Sequence, residues 1–199
     1  MALPYVLLLH GFTGSGPKHW QSWLAGQLAD AGSLVDLPQF TDPDRPELEV
    51  WLAELRNHLR AAPAEGERVL LAHSCGASLW LHHAARLTDD PADLAMRFDR
   101  VLLVAPPGPR WHVPDVRGFA PTPLDAAGIR RAAGRSRLVT GEDDDACSVA
   151  EAIDMAAALK IDLDVVPGGG HLNTDAGYGQ WPAVRSWVAD RHSPIVGNR

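Results

Sequence analysis

Ser74 sits in the stretch Ala72-His73-Ser74-Cys75-Gly76, one residue off G-x-S-x-G. It follows the apolar run Arg68–Ala72 and precedes Ala77, Trp80, Leu81, Ala84 and Leu87, which recur at helical spacing. A serine at such a strand–helix junction is either a plain helix N-cap or a nucleophile in a strained elbow. In an elbow the strand stops, the chain turns sharply and a helix begins at once. The hydroxyl then stands at the sheet edge and neighbouring backbone N–H groups converge beside it. Residues two before and two after must be small, because strand and helix nearly collide there. Gly76 meets that need, and Ala72 meets it with one extra methyl.

A serine hydroxyl attacks only when a base takes its proton, and that base is a histidine oriented by a carboxylate. Pro167-Gly168-Gly169-Gly170-His171 supplies the histidine. Three consecutive glycines form a tight loop able to deliver His171 to the sheet edge. His58, His82 and His83 fall within helix patterns and read as surface or packing residues. The acid lies in Gly141-Glu142-Asp143-Asp144-Asp145, where periodicity does not choose among the aspartates. The carboxylates not used read as an acidic turn before a helix. Serine, acid and histidine thus follow in one of the chain orders known for this chemistry, acyl transfer. Two donors must face the oxyanion. The Cys75 N–H is one, and the loop His10-Gly11-Phe12-Thr13-Gly14 offers the Phe12 N–H as the other. A phosphate cradle is the rival reading of that loop, but HGFTGSG matches neither G-x-x-x-x-G-K-[ST] nor G-x-G-x-x-G.

The elements that must position these residues alternate between strand-like and helix-like runs, the mark of βαβ units and a parallel sheet. Strands are expected at Val6–Leu9, Leu34–Leu37, Val69–Ala72, Val101–Ala105, Leu138–Thr140 and Leu163–Val166. Trp20, Trp23, Leu24 and Leu28 mark one helix face, and Leu48, Trp51, Leu52, Leu55 and Leu59 the next. Ser148 and Glu151 are spaced as a capping box, and Pro182 opens a last helix with Val184, Trp187 and Val188 inward. Residues 106–123 carry six prolines and little periodicity, which excludes a regular helix or central strand. Either they cover the active site and line a substrate pocket with Trp111 and Phe119, or they form a rigid surface loop.

The chain has 199 residues, 46% hydrophobic and 22% charged, as expected for one globular domain over 1–199. A net charge of −7 leaves no basic field for nucleic acid or an anionic membrane. The opening run MALPYVLLLHGF lacks a basic leader and cleavage site, and reads as the first strand. Two cysteines make no disulfide framework and fit reduced thiols in the cytoplasm. No histidine pair has metal-ligand spacing with a carboxylate or thiolate, so neither metal nor cofactor is expected.

Gly14-Ser15-Gly16-Pro17-Lys18-His19-Trp20-Gln21 resembles the G-S-G-P-x-H-W-Q stretch of the compact serine hydrolases related to retinoblastoma-binding protein nine, a branch of the α/β-hydrolase superfamily. The likeness extends over nearly the whole chain. His73-Ser74-Cys75-Gly76 resembles the nucleophile segment, Val104-Ala105-Pro106-Pro107 the fourth-strand ending, and Gly170-His171-Leu172-Asn173 with Gly177-Tyr178-Gly179-Gln180-Trp181-Pro182 the histidine loop. The resemblance implies a three-layer α/β-hydrolase fold, with about six mostly parallel strands flanked by helices and no large cap domain. The family's acid segment is D-P-Y-C-S. Here Asp144-Asp145-Ala146-Cys147-Ser148 keeps the C-S register without Pro and Tyr. That register puts the catalytic aspartate on Asp144, with Asp143 as its competitor. Ala72 is the other departure, where the superfamily commonly has glycine. No L-x-C-x-E motif exists, so the retinoblastoma-type partner is not carried over.

The resulting expectation is an enzyme cleaving small or short-chain acyl esters through an acyl-enzyme on Ser74, with no protein partner assigned. Thioester or amide cleavage uses the same parts. The alternative from another class is a low-turnover interaction module whose seven tryptophans mark a partner face.

Overall fold

The computed structural model describes residues 3–196. Strands β1 (Tyr5–Leu9), β2 (Val35–Asp36), β3 (Arg68–His73), β4 (Phe98–Val104), β5 (Ala133–Gly141) and β6 (Asp162–Val166) form one sheet in the order β2-β1-β3-β4-β5-β6. Every pairing is parallel. A parallel sheet is covered on both faces, which is why its central strands are unbroken apolar runs. Alternate residues of each strand divide between two cores. Leu7, Leu9, Leu70 and Leu103 pack with helices α2 (Leu48–Ala61), α3 (Cys75–Ala85), α5 (Ala126–Ala132) and α6 (Val149–Leu159). Val6, Leu8, Leu71 and Val104 pack with α1 (Trp20–Asp30) and α7 (Pro182–Ala189) on the other face. The result is three layers. Trp20, Trp51, Trp80, Trp181 and Trp187 are buried in these cores, so those tryptophans build the interior instead of a partner face.

The strand order reverses between β1 and β3, so the loops after these strands diverge and leave a crevice at their carboxyl ends. The loops after β1, β3, β4, β5 and β6 all open at that edge.

Several boundaries differ from the sequence reading. β2 shrinks to two residues, and β5 begins at Ala133 instead of Leu138. Arg135 and Arg137 break the apolar run of β5, but pairing with β4 from Phe98↔Ala133 onward extends the strand through them. Arg137 is satisfied by Asp164 of β6 at 2.9 Å. β4 starts at Phe98 and ends before Ala105, whose φ of 48° turns the chain out of the sheet. Short α4 (Pro91–Leu94), capped by Asp90, and α5 were not foreseen, being too short to show periodicity. Residues 106–123 hold one 3₁₀ turn, Pro114–Phe119, and otherwise run as an irregular strap. Among the described residues no helix is long and apolar enough to cross a membrane.

Candidate active site

Ser74 bridges β3 and α3 with φ 54° and ψ −123°, a conformation rare for a side-chain-bearing residue. The turn is held on both sides. The Ser74 N–H donates to the Val104 carbonyl at 2.9 Å, and the Ser74 carbonyl accepts from Ala77 and Ser78. Although it occupies the N-cap position of α3, its side chain makes no capping hydrogen bond. The hydroxyl instead lies 2.9 Å from His171 Nε2. A Cβ on Gly76 would come within 2.5 Å of the His10 carbonyl oxygen and 2.6 Å of that of Leu9, so α3 packs directly on the end of β1. Ala72 is fully buried in β3.

His171 reaches the serine because the acid and histidine loops touch backbone to backbone. A Cβ on Gly141 would overlap the Gly170 carbonyl, and Gly168 and Gly170 take φ of 58° and 52°. Asp144 lies at the far side of the imidazole, its Oδ2 and Oδ1 at 2.9 and 3.0 Å from His171 Nδ1. Its side chain is fully buried and also accepts from the Ala146 N–H at 2.8 Å. A carboxylate only accepts, so Nδ1 carries the proton and Nε2 is bare toward the serine hydroxyl. Asp143 has a different part: its Oδ1 accepts from the Gly170 N–H at 2.7 Å and ties down the histidine loop.

The loop after β1 presses against the elbow. A Cβ on Gly11 would meet Ser74 Cβ at 2.7 Å, which only glycine avoids. Burial pushes the Cys75 thiol up to about 11, against the opposing pull of the Phe12 N–H, the Ser74 hydroxyl and its own N–H. His10 fixes this loop: its Nδ1–H donates to the Gly11 carbonyl at 2.8 Å, and its Nε2 accepts from the Phe40 N–H at 3.0 Å.

Three further residues support the site and had no role in the sequence reading. His73 Nε2 donates to the His171 carbonyl at 3.0 Å, and its ring lies 5.2 Å from that of His171 and 4.9 Å from that of His19. Burial holds His73 well below the ordinary histidine range and lowers His19 to about 4, so both stay neutral behind His171. Gln21 donates to the Leu9 carbonyl at 2.9 Å and accepts from Ser15, pinning the loop before α1 to the sheet. These residues were visible only as letters of the recognised motifs; no periodicity marks a buried polar contact.

Trp111 and Phe119 both line a cavity of about 820 Å³ between the strap and α6, which reaches Cys75 and Ser78 on α3. Residues 106–123 thus form one wall of a cavity that borders α3. His83 is buried, whereas His58 is half-exposed and hydrogen-bonded to Asp36 at 2.6 Å. Among the described residues no His/Cys/Asp/Glu group is arranged to hold a metal ion, and both cysteines are free.

Residues 6–190 match the family model described as serine hydrolase. YdeN of Bacillus subtilis strain 168 is 26% identical over 182 residues, 90% of this chain and 91% of YdeN. The crystal structure of the ydeN gene product superposes with a TM-score of 0.79 at 24% identity, over 96% of this chain and 100% of that one. The type II thioesterase BorB of the borrelidin biosynthetic cluster gives 0.61 at 18% identity, over 95% and 92%. At such identities the structural likeness concerns the fold, which is the three-layer α/β-hydrolase fold without a large cap domain. With the family model spanning nearly all of the sheet and every loop at its carboxyl edge, the chain belongs to the serine hydrolase family.

Proposed function

We propose that this protein hydrolyses carboxylic esters of small molecules through an acyl-enzyme on Ser74. The observation that carries the reading is the line of contacts Ser74 Oγ–His171 Nε2 and His171 Nδ1–Asp144, each at 2.9 Å. Ser74 Oγ attacks the acyl carbon as His171 Nε2 takes its proton, and the buried Asp144 carboxylate steadies the imidazolium. The Phe12 and Cys75 N–H groups receive the oxyanion of the tetrahedral intermediate. His171 returns the proton to the leaving alcohol. Water then enters, loses a proton to His171, attacks the acyl carbon and releases the acid, while Ser74 recovers its proton. A cytoplasmic setting belongs to this reading and is supported by the two free, buried thiols.

Intact-mass labelling with a fluorophosphonate tests it. Wild type should take a single adduct that Ser74→Ala lacks, and ester turnover should fall by roughly 10⁶-fold in that variant. An adduct or turnover surviving in Ser74→Ala would overturn the assignment. No adduct on folded wild type would favour the interaction-module reading.

A further inference from the structure

We infer that the cavity between strap and α6 is the acyl site, and that it selects neutral linear acyl chains of medium length. This rests on the esterase reading above. The leaving alcohol must depart beside His171 Nε2, the atom that protonates it. No residue lining the cavity comes from the histidine loop or from the loop after β1. The cavity instead borders α3 at Cys75 and Ser78, the residues one and four past Ser74. The group placed there is the one that stays bonded to Ser74 after the alcohol leaves.

The walls set its chemistry. Trp111, Val113, Val116, Phe119, Leu124 and Met155 give a predominantly apolar lining. Val116, Phe119 and Met155 are buried, while Leu124 remains 41% exposed. Trp111 and Val113 are only partly covered by the core. A flexible apolar chain covers that exposed surface without requiring a polar partner. The α6 wall runs from Glu151 to Ala158, two turns or about 10 Å of helix, the extended length of roughly eight carbons. The strap is fastened over this groove. Gly108 N–H donates to the Ala146 carbonyl at 2.8 Å, Arg110 pairs with Glu151 at 2.8 Å, and His82 Nε2 donates to the Phe119 carbonyl at 2.9 Å. Groove length is therefore fixed by tethered walls. Small or short-chain acyl esters are the expectation from sequence; the tethered strap roofs a groove long enough for medium chains.

Chain-length profiles with p-nitrophenyl esters test this. The kcat/KM should climb roughly fourfold per methylene from acetate toward octanoate and then level off. Acetates of lengthening alcohols should give a flat profile. Ala158→Trp, at the exposed end of the groove, should lower the octanoate-to-butyrate ratio by at least about tenfold by shortening the last turn of wall. A flat acyl profile, a rise along the alcohol series, or an unchanged ratio in Ala158→Trp would overturn the assignment while leaving the serine hydrolase reading intact. Failure of every ester together with no fluorophosphonate adduct would remove that reading, and this one with it.

Discussion

Ser74, His171 and Asp144 come from three loops and meet within hydrogen-bond distance, yet the neighbouring carboxylates have unequal work. Asp144 is buried on His171 Nδ1, whereas exposed Asp143 fastens Gly170. Asp144→Asn presents an amide donor to Nδ1 and favours the wrong imidazole tautomer, so kcat should fall by about 10⁴-fold. Asp143→Asn keeps an oxygen for the Gly170 N–H, and its loss should stay within about tenfold. Steady-state kinetics of the two variants decide the matter, and a larger loss at Asp143 would transfer the acid role to it. His73 and His19 act at the same scale: neutral rings behind His171 impose no charge on the imidazolium that forms there.

At the scale of elements, the site is a consequence of how closely α3 is driven against β1 and β3. Gly76 is the contact point, facing carbonyl oxygens of Leu9 and His10 that belong to rigid backbone. Gly76→Ala should therefore cost about 2–3 kcal/mol of stability, because neither the strand end nor the helix can give way cheaply. Ala72→Gly should change stability by no more than about 1 kcal/mol, the ordinary effect of glycine in a strand. Urea unfolding of both variants separates the cases. Equal midpoints would mean that the junction is looser than its geometry states.

At the scale of the whole molecule, burial of uncharged histidines couples the fold to pH. Burial lowers His73 well below 6.5, and it lowers His19 and His83 to about 4. His83 Nε2 has no hydrogen-bond partner among the described residues to compensate for charging. The unfolded chain binds these protons first, near pH 6.5. The stability these groups confer is thus complete above that value and is lost as pH falls from 6.5 toward 4. Each contributes a slope of up to about 1.4 kcal/mol per pH unit in that window. Urea midpoints at pH 7 and pH 5 should differ accordingly, and His83→Gln should reduce the difference. A pH-independent midpoint across the window would contradict the burial of these rings as neutral groups.

The sequence alone determined the layered α/β order, the elbow serine and the histidine of the triple-glycine loop. Each is encoded locally: apolar runs record strands buried on both faces, and glycines record sharp turns. Residue pattern alone narrowed the acid to adjacent aspartates, because neighbouring residues on a turn differ in direction while sharing composition, and only the resemblance in the C-S register pointed to Asp144 over Asp143. Only the tertiary structure showed Asp144 on His171 Nδ1 and Asp143 on the Gly170 N–H, placed His73 and His19 behind His171, and turned a proline-rich stretch into the wall of a cavity. It also carried β5 through its arginines, since pairing with β4 outweighed an interrupted apolar pattern. All of these depend on contacts between residues tens of positions apart. Such contacts are set by sheet order and loop packing, to which no local pattern in the chain corresponds.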